Sequence, residues 1–325
     1  MKRGILLIVG LILMVLLCWF SIAAGAVPIT APQVLFGLTD PQSPSYFIVH
    51  ELRLPRVLVA ICAGAGLAVA GAILQSLLRN PLASPDVIGI TQGASFAAVA
   101  LIFLIPSAAA QWMPVAAFAG AILSFLILIL TSRRLTLSPT SLALIGVAVG
   151  AVFQAGIQYF MVTHPANVNM ALLWMSGSLW GRGWGQLAPL APLIILMLAV
   201  AMLQARKLNI LQIGDDLSQS LGLLVRRERL WLLLLSVTMA GVAVSAVGAV
   251  SFIGLLAPHI ARALVGARNQ WRLPMAAVIG ADLMLLGDLV GRIVLIPREI
   301  PVGIVIAIIG APYFIYLLRR EHTMK

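Results

Sequence analysis

The sequence predicts an all-α, polytopic membrane protein with ten transmembrane helices. Of its 325 residues, 62% are hydrophobic and only 10% are charged, and the mean hydropathy is +1.08. Several charge-free stretches reach or exceed the roughly 20 residues that a helix needs to cross a bilayer. These stretches fill most of the chain and leave no soluble domain of useful size, so we expect residues 1–325 to form a single transmembrane domain.

Ten spans are separated by prolines, glycines and short polar stretches, which typically end helices. We place the spans near residues 5–26, 57–78, 88–105, 112–131, 141–162, 187–205, 230–250, 252–265, 274–291 and 302–318. Ser84, Pro85 and Asp86 have the order of an N-cap, a first helical proline and a first-turn acid. They predict that the third span starts at this point.

The N-terminus resembles a secretory signal peptide in one respect. Lys2 and Arg3 precede an apolar run from Gly4 to Ile22. The run is longer than the apolar region of a typical signal peptide, so the sequence favours a first helix that is retained.

The distribution of basic residues predicts the orientation of the chain. The net charge is +11, but the basic residues flank apolar spans. Residues in such positions set the orientation of a membrane protein, so the positive charge does not indicate a nucleic-acid partner. The chain has 21 lysines and arginines. If the N-terminus is inside, only five of them lie on the outer side: Arg53, Arg56, Arg182, Arg292 and Arg298. This asymmetry predicts that both termini are cytoplasmic.

Residues 206–229 form a long polar segment between the sixth and seventh spans. Gly214, Asp215 and Asp216 are expected to start a helix, because carboxylates in a first turn favour the partial positive charge of unpaired amides. Apolar residues follow at helical spacing with Gly222 between them: Leu217, Leu221, Leu224 and Val225. Such a stripe packs on the lipid surface, on the helices of its own bundle, or against a soluble partner protein. The predicted cytoplasmic position of the segment favours a partner protein.

A set of motifs extends over nearly the whole chain. They are Arg53-Leu54-Pro55-Arg56, Gly71 to Gln75, Arg79 to Asp86 with Gly89, Ser251 to Leu255 with Pro258-His259 and Arg262, Glu299 to Gly303, and Gly310-Ala311-Pro312. Together they resemble the permease family of iron-siderophore, haem and vitamin B12 ABC importers. Within that family, Asn167 to Trp184 is most similar to a ferric citrate permease subunit.

The resemblance implies an architecture and a set of partners. The expected fold is that of a type II importer permease with ten helices in the cell inner membrane. The implied partners are two cytoplasmic ATPase subunits, a second permease subunit and an extracytoplasmic binding protein. A paralogue is favoured over a second copy as the other permease. The implied cargo is a ferric chelate, with ferric citrate favoured and haem or vitamin B12 as alternatives; no cofactor or metal site is expected.

The resemblance also implies three groups of site residues. For ATPase docking they are Gly214, Asp215, Leu217, Leu221, Gly222 and Val225. For binding-protein docking they are Arg53, Arg56 and Arg292, to which we add Arg298 because it lies in the short connection after Arg292. For the cytoplasmic gate they are Pro139, Thr140 and Ser141. The alternative for the arginines is that they extend to lipid phosphate or pair internally with Glu51, Asp288 or Glu299.

Other function classes are less well supported by the residues. The chain lacks a G-x-x-x-x-G-K-[S/T] phosphate loop, so ATP hydrolysis by that mechanism must belong to another chain and no enzyme activity is expected. None of the four histidines has a partner at metal-ligand spacing, and Cys18 and Cys62 lie in apolar runs. An ion-coupled secondary transporter would use intramembrane acids, for which Asp282 and Asp288 are candidates. Both acids are equally suited to structural pairing, for example with Arg292.

Overall fold

The computed structural model describes residues 2–25, 27–132 and 138–323, and within these ranges the regular secondary structure is helical. Ten helices correspond in order to the ten predicted spans. They are α1 (Lys2–Ala23), α3 (Leu54–Leu77), α4 (Ile90–Leu104), α5 (Pro106–Ser132), α6 (Pro139–Thr163), α8 (Trp184–Leu203), α11 (Val225–Val247), α12 (Ile253–Val265), α13 (Asn269–Ile293) and α14 (Val302–Thr323).

Short helices connect these spans. They are α2 (Ala31–Thr39), α7 (Val168–Met175), α9 (Ala205–Gln212) and α10 (Asp215–Ser220), together with a π-helical turn (Phe47–Arg53) and a 3-10 turn (Pro165–Asn167). The π-helical turn runs directly into α3.

Seven of the described helices are long and apolar enough to cross a membrane, and α4, α12 and α14 contribute shorter apolar stretches. The prediction of a polytopic, all-helical membrane protein is confirmed.

Helix α3 is the centre of the bundle, and it packs against α11, α12 and α13. Every residue from 63 to 78 is buried. Its glycines allow backbones to touch: a Cβ on Gly64 would lie 2.3 Å from the carbonyl oxygen of Gly280, and one on Gly71 would lie 1.8 Å from that of Gly254. Small residues at such contacts are typical of membrane bundles, whose helices associate by close packing.

The third span lies close to its predicted bounds of 88–105, but the predicted N-cap at Ser84 is wrong. The chain forms turns after Ser84, and α4 begins only at Ile90. Gly89 precedes that helix in the left-handed region, with φ of +79°. A Cβ there would lie 2.8 Å from the carbonyl oxygen of Gly146, so the tight approach of α6 fixes this turn. The hydroxyl of Ser84 does accept a hydrogen bond from the amide of Val87, at 3.4 Å, but within the turn.

Candidate functional site

The end of the bundle that is predicted to face outward contains a cavity of about 510 Å³ with many charged side chains. Its charged lining residues are Glu51, Arg53, Arg56, Arg182, Arg292 and Glu299. Four of the five arginines predicted to lie on this side therefore meet at one place. The fifth, Arg298, lies exposed beside Glu299 in the turn before α14.

Arg53 and Arg292 are structural in this arrangement, because both cap the C-terminal end of α1. Arg53 donates to the carbonyl oxygens of Ile22 and Ala23 at 2.6 and 2.9 Å, and Arg292 donates to that of Ser21 at 2.9 Å. The last carbonyls of a helix have no partner within the helix, so two guanidinium groups satisfy them here. Both arginines are buried, at 8% and 6% exposure. Neither side chain is free to reach a docking protein in this conformation.

Arg56 joins two acidic side chains. Its Nη2 atom lies 2.7 Å from Oδ1 of Asp288 and 2.7 Å from Oε2 of Glu299. Asp288 also lies 3.1 Å from Nε of Arg292. The internal pairing that the sequence left open is thus present for Arg56 and Arg292, and Asp288 has a structural partner. A docking role for these arginines stays a prediction.

Arg182 received no role from the sequence, but the structure brings it into the same cavity. Its Nε is buried and has no hydrogen-bond partner within the described part of the chain. Burial lowers the pKa of Arg182, although a guanidinium remains charged at neutral pH. A buried donor without a partner is costly, and a partner protein or cargo that brings a carboxylate would satisfy it.

The opposite end of the bundle, which is predicted to face the cytoplasm, carries the segment predicted to dock an ATPase. Helix α10 begins at Asp215 as expected, after Gly214 at φ of +127°. The predicted apolar stripe is exposed along α10 and the turn that follows it: Leu217, Leu221 and Leu224 show 58%, 62% and 66% of their surface. Apolar side chains this exposed at a helix tip outside the apolar spans indicate a contact with another chain.

Asp215 anchors this exposed helix to the bundle. Its Oδ1 accepts from Nη2 of Arg229 at 2.7 Å and also pairs with Arg79. Partial burial raises the pKa of Asp215, but hydrogen bonds and charges from Arg229 and Arg79 outweigh it and leave the pKa below its usual value.

The other predicted docking residues differ in their surroundings. Gly222 has a φ of +83° with open space around its Cα, so glycine serves the turn between α10 and α11. Val225 is 6% exposed and packs into the core, so it supports the segment from within.

The predicted gate residues begin α6. Pro139 occupies the first turn, and the hydroxyl of Ser138 accepts from the amide of Ser141 at 3.2 Å. Thr140 is exposed. This is an ordinary capped helix start, and a gating role stays a prediction.

Helix α6 also has a polar feature that the sequence analysis missed. Gln154 and Gln158 are four residues apart, and both are exposed on one face. Neither amide has a hydrogen-bond partner among the described residues. Large apolar side chains otherwise dominate the exposed faces of the spans, such as Val147 and Val152 on α6 and Ile8 on α1, as lipid contact requires. The sequence did contain a signal for this polar face, because two glutamines stand at helical spacing within an apolar run.

Asp282 lies within α13, away from both ends. It is 8% exposed, and its Oδ1 has no hydrogen-bond partner among the described residues. A role for this residue in ion coupling stays a prediction.

Comparison with known proteins agrees with the resemblance. The model of the FecCD transport family matches residues 12–320. The chain belongs to the FecCD transport family. It is 46% identical over 321 residues to the Fe(3+)-citrate import system permease protein YfmE of Bacillus subtilis (strain 168), covering 98% of this chain and 96% of that protein. A second permease protein of that name, YfmD of the same organism, is 33% identical over 325 residues and covers 100% and 97% of the two chains.

A solved structure gives the same result for the fold. It is described as an inward-facing conformation of a metal-chelate type ABC transporter, with 29% identity and a TM-score of 0.88. The match covers 97% of this chain and 98% of that one. The FecCD chain is therefore a transport permease subunit, and the predicted family and fold are confirmed.

Proposed function

We propose that this FecCD chain is the transmembrane permease subunit of an ABC importer that takes a ferric chelate into the cell, with ferric citrate favoured. The observation that carries the proposal is the match along almost the full length to a permease named for Fe(3+)-citrate import. Haem and vitamin B12 are the alternative cargoes, and ion-coupled transport is the alternative mechanism.

The proposed source of energy is a pair of cytoplasmic ATPase subunits, because this chain has no phosphate loop. The exposed leucines of α10 and the following turn are the proposed docking surface, with residues 206–229 as the docking segment. A shallow groove of about 750 Å³ lies beside them, lined by Gln219, Leu224, Arg226 and Leu230 among others. An ATPase that covers this apolar surface would remove it from water.

The proposed second subunit is a paralogous permease. Gln154 and Gln158 on the exposed face of α6 support this arrangement, because an amide that faces hydrocarbon without a partner costs several kcal/mol. A second permease opposite α6 would enclose these amides in a polar passage. The existence of two permeases of one name, YfmE and YfmD, both related to this chain, favours a paralogue over a second copy.

The proposed outer partner is a binding protein that delivers the chelate. Acidic side chains of such a protein would contact Arg182 in the cavity and Arg298 beside it. An acidic side chain could also replace Glu299 as a partner of Arg56. We place the chain in the cell inner membrane with both termini in the cytoplasm, as the basic residues predict.

The cargo is tested by competition. Cells that depend on this importer are given radioactive ferric citrate, with excess unlabelled ferric citrate, ferric hydroxamate, haem or vitamin B12 in separate samples. We expect ferric citrate to compete most strongly. If haem or vitamin B12 competes better, the assigned cargo is wrong while the importer assignment stands.

A further inference from the structure

The inner end of the bundle contains a second, more enclosed cavity of about 240 Å³. It lies between the C-terminal end of α3 and helices α9, α12 and α13. Its charged lining residues are Arg79, Arg262 and Arg272, with Gln75 and Gln212 beside them. Among the described residues that line it, none is acidic. The sequence analysis gave this group no joint role.

Arg272 holds a buried charge at this cavity. It is 2% exposed, and its guanidinium donates to Oε1 of Gln75, to the hydroxyl of Ser76 at 3.2 Å and to the carbonyl oxygen of Pro258 at 3.4 Å. All three acceptors are neutral. A guanidinium has five N–H groups, so these contacts leave donors on Arg272 available at the cavity. Burying a charge with no opposite charge beside it is strongly unfavourable.

Arg79 and Arg262 add further positive charge at the cavity and do not neutralise the charge of Arg272. Arg262 is exposed, and no hydrogen bond or ion pair to it is found in the described part of the chain. Arg79 shares Asp215 with Arg229, so that one carboxylate serves two guanidinium groups. The cavity therefore concentrates positive charge that an anion from outside the chain would balance.

We propose that this cavity binds a phosphate group. Three guanidinium groups from three segments of the chain suit a tetrahedral oxyanion, which offers more acceptor oxygens than a carboxylate and pairs with arginine in a bidentate manner. The volume equals that of about eight water molecules at roughly 30 Å³ each, so a phosphate group fits together with its hydration water.

The position favours phosphate over other anions. The cavity lies at the predicted cytoplasmic end of the bundle, where phospholipid headgroups and free phosphate are both available. Basic pockets between transmembrane helices on this side of a membrane are known to hold phosphate headgroups. Because Arg79 contacts both the cavity and Asp215, a bound phosphate would also reinforce the attachment of α10. This inference does not depend on which chelate is carried.

The first experiment uses inorganic phosphate and the full-length chain in detergent. Thermal unfolding is followed as phosphate replaces chloride at constant ionic strength. The test variant is Arg262→Gln, because Arg262 is exposed and its loss does not open the core. The control is Arg268→Gln, which removes the same charge from a nearby exposed residue outside the cavity. We expect phosphate to stabilise the wild type and the control, and its apparent Kd to weaken about ten-fold or more in Arg262→Gln.

The second experiment separates free phosphate from a lipid headgroup. The same three proteins are extracted from membranes, and bound phosphatidylglycerol is counted by native mass spectrometry. Retention in wild type and Arg268→Gln with loss in Arg262→Gln supports a headgroup; a response in the first experiment alone supports free phosphate. If neither measurement distinguishes Arg262→Gln from Arg268→Gln, the proposal is overturned. It is also overturned if Arg262→Gln reduces only the recovery of an ATPase partner, because the cavity then receives a protein carboxylate.

Discussion

Arg56 and Asp288 are 232 positions apart in the chain, yet they form a two-point contact beside the charged cavity of about 510 Å³. Nε of Arg56 lies 3.1 Å from Oδ1 of Asp288, and Nη2 lies 2.7 Å from the same oxygen. Asp288 is 4% exposed and also pairs with Arg292, which caps α1. This one carboxylate therefore joins α3, α13 and, through Arg292, α1.

We predict that Asp288→Asn strongly destabilises the protein. The substitution leaves the buried Arg292 and the partly buried Arg56 without their shared carboxylate, and breaking such a buried pair typically costs about 3–5 kcal/mol. Glu299→Gln is the matched control, since Glu299 contacts the same Arg56 but is 31% exposed and its loss should cost under about 1 kcal/mol. Thermal unfolding in detergent measures both. Equal losses in the two variants would contradict the central role of Asp288.

We predict that Arg53→Gln and Arg298→Glu fail in different ways. Arg53 holds the carbonyls that end α1, so its replacement should lower the yield of folded protein. Arg298 is exposed, so its charge reversal should leave folding intact but slow the association with an acidic binding protein several-fold, most of all at low salt. Surface plasmon resonance across a salt series measures the association. An unchanged on-rate for Arg298→Glu would remove this residue from the docking surface.

We predict that Leu221→Asp abolishes copurification of the ATPase while the protein still inserts in the membrane. Leu221 is 62% exposed, so a charge there does not disturb the core, but burying it in an apolar contact costs several kcal/mol. Ser220→Asp adds the same charge one residue away at an already polar position. Pull-down of the ATPase from membranes distinguishes them. Normal recovery with Leu221→Asp would exclude α10 as the docking helix.

We predict a pH dependence for the attachment of α10. The pKa of Asp215 is lowered in the folded state, so its stabilising effect is present above its ordinary pKa of about 4 and is lost as pH falls through the lower folded value. The carboxylate is 36% exposed, so screening by water limits the effect to under about 1 kcal/mol. Hydrogen exchange of α10 should therefore be faster in Asp215→Asn than in wild type at pH 7. The same difference persisting at pH 2.5 would show that the charge is not responsible.

The spans were predictable because each depends on local composition. Apolar runs of sufficient length, broken by prolines and flanked by basic residues, define helices without any knowledge of their neighbours. The start of α10 was predictable for the same reason, since Gly214 and Asp215 act within one turn.

The partners of Arg53 and Arg292 were not predictable from the sequence. Arg53 and Arg292 are 31 and 271 positions from carbonyls that they satisfy, and nothing local to either residue identifies them. The start of α4 was missed for a similar reason, because contact with Gly146 of α6 decides the conformation at Gly89. Sequence analysis thus assigned these arginines to one side of the membrane, but it did not predict the cavity that they line or which of them are already committed to the fold.

We propose that ATP hydrolysis by partner chains drives a ferric chelate through a passage that includes this permease. The most direct measurement is uptake of radioactive ferric citrate into proteoliposomes that contain this chain, a second permease and the ATPase, with the binding protein outside. We predict uptake that requires enclosed ATP and is lost with Leu221→Asp. Uptake that continues without ATP and follows an imposed proton gradient would contradict the claim.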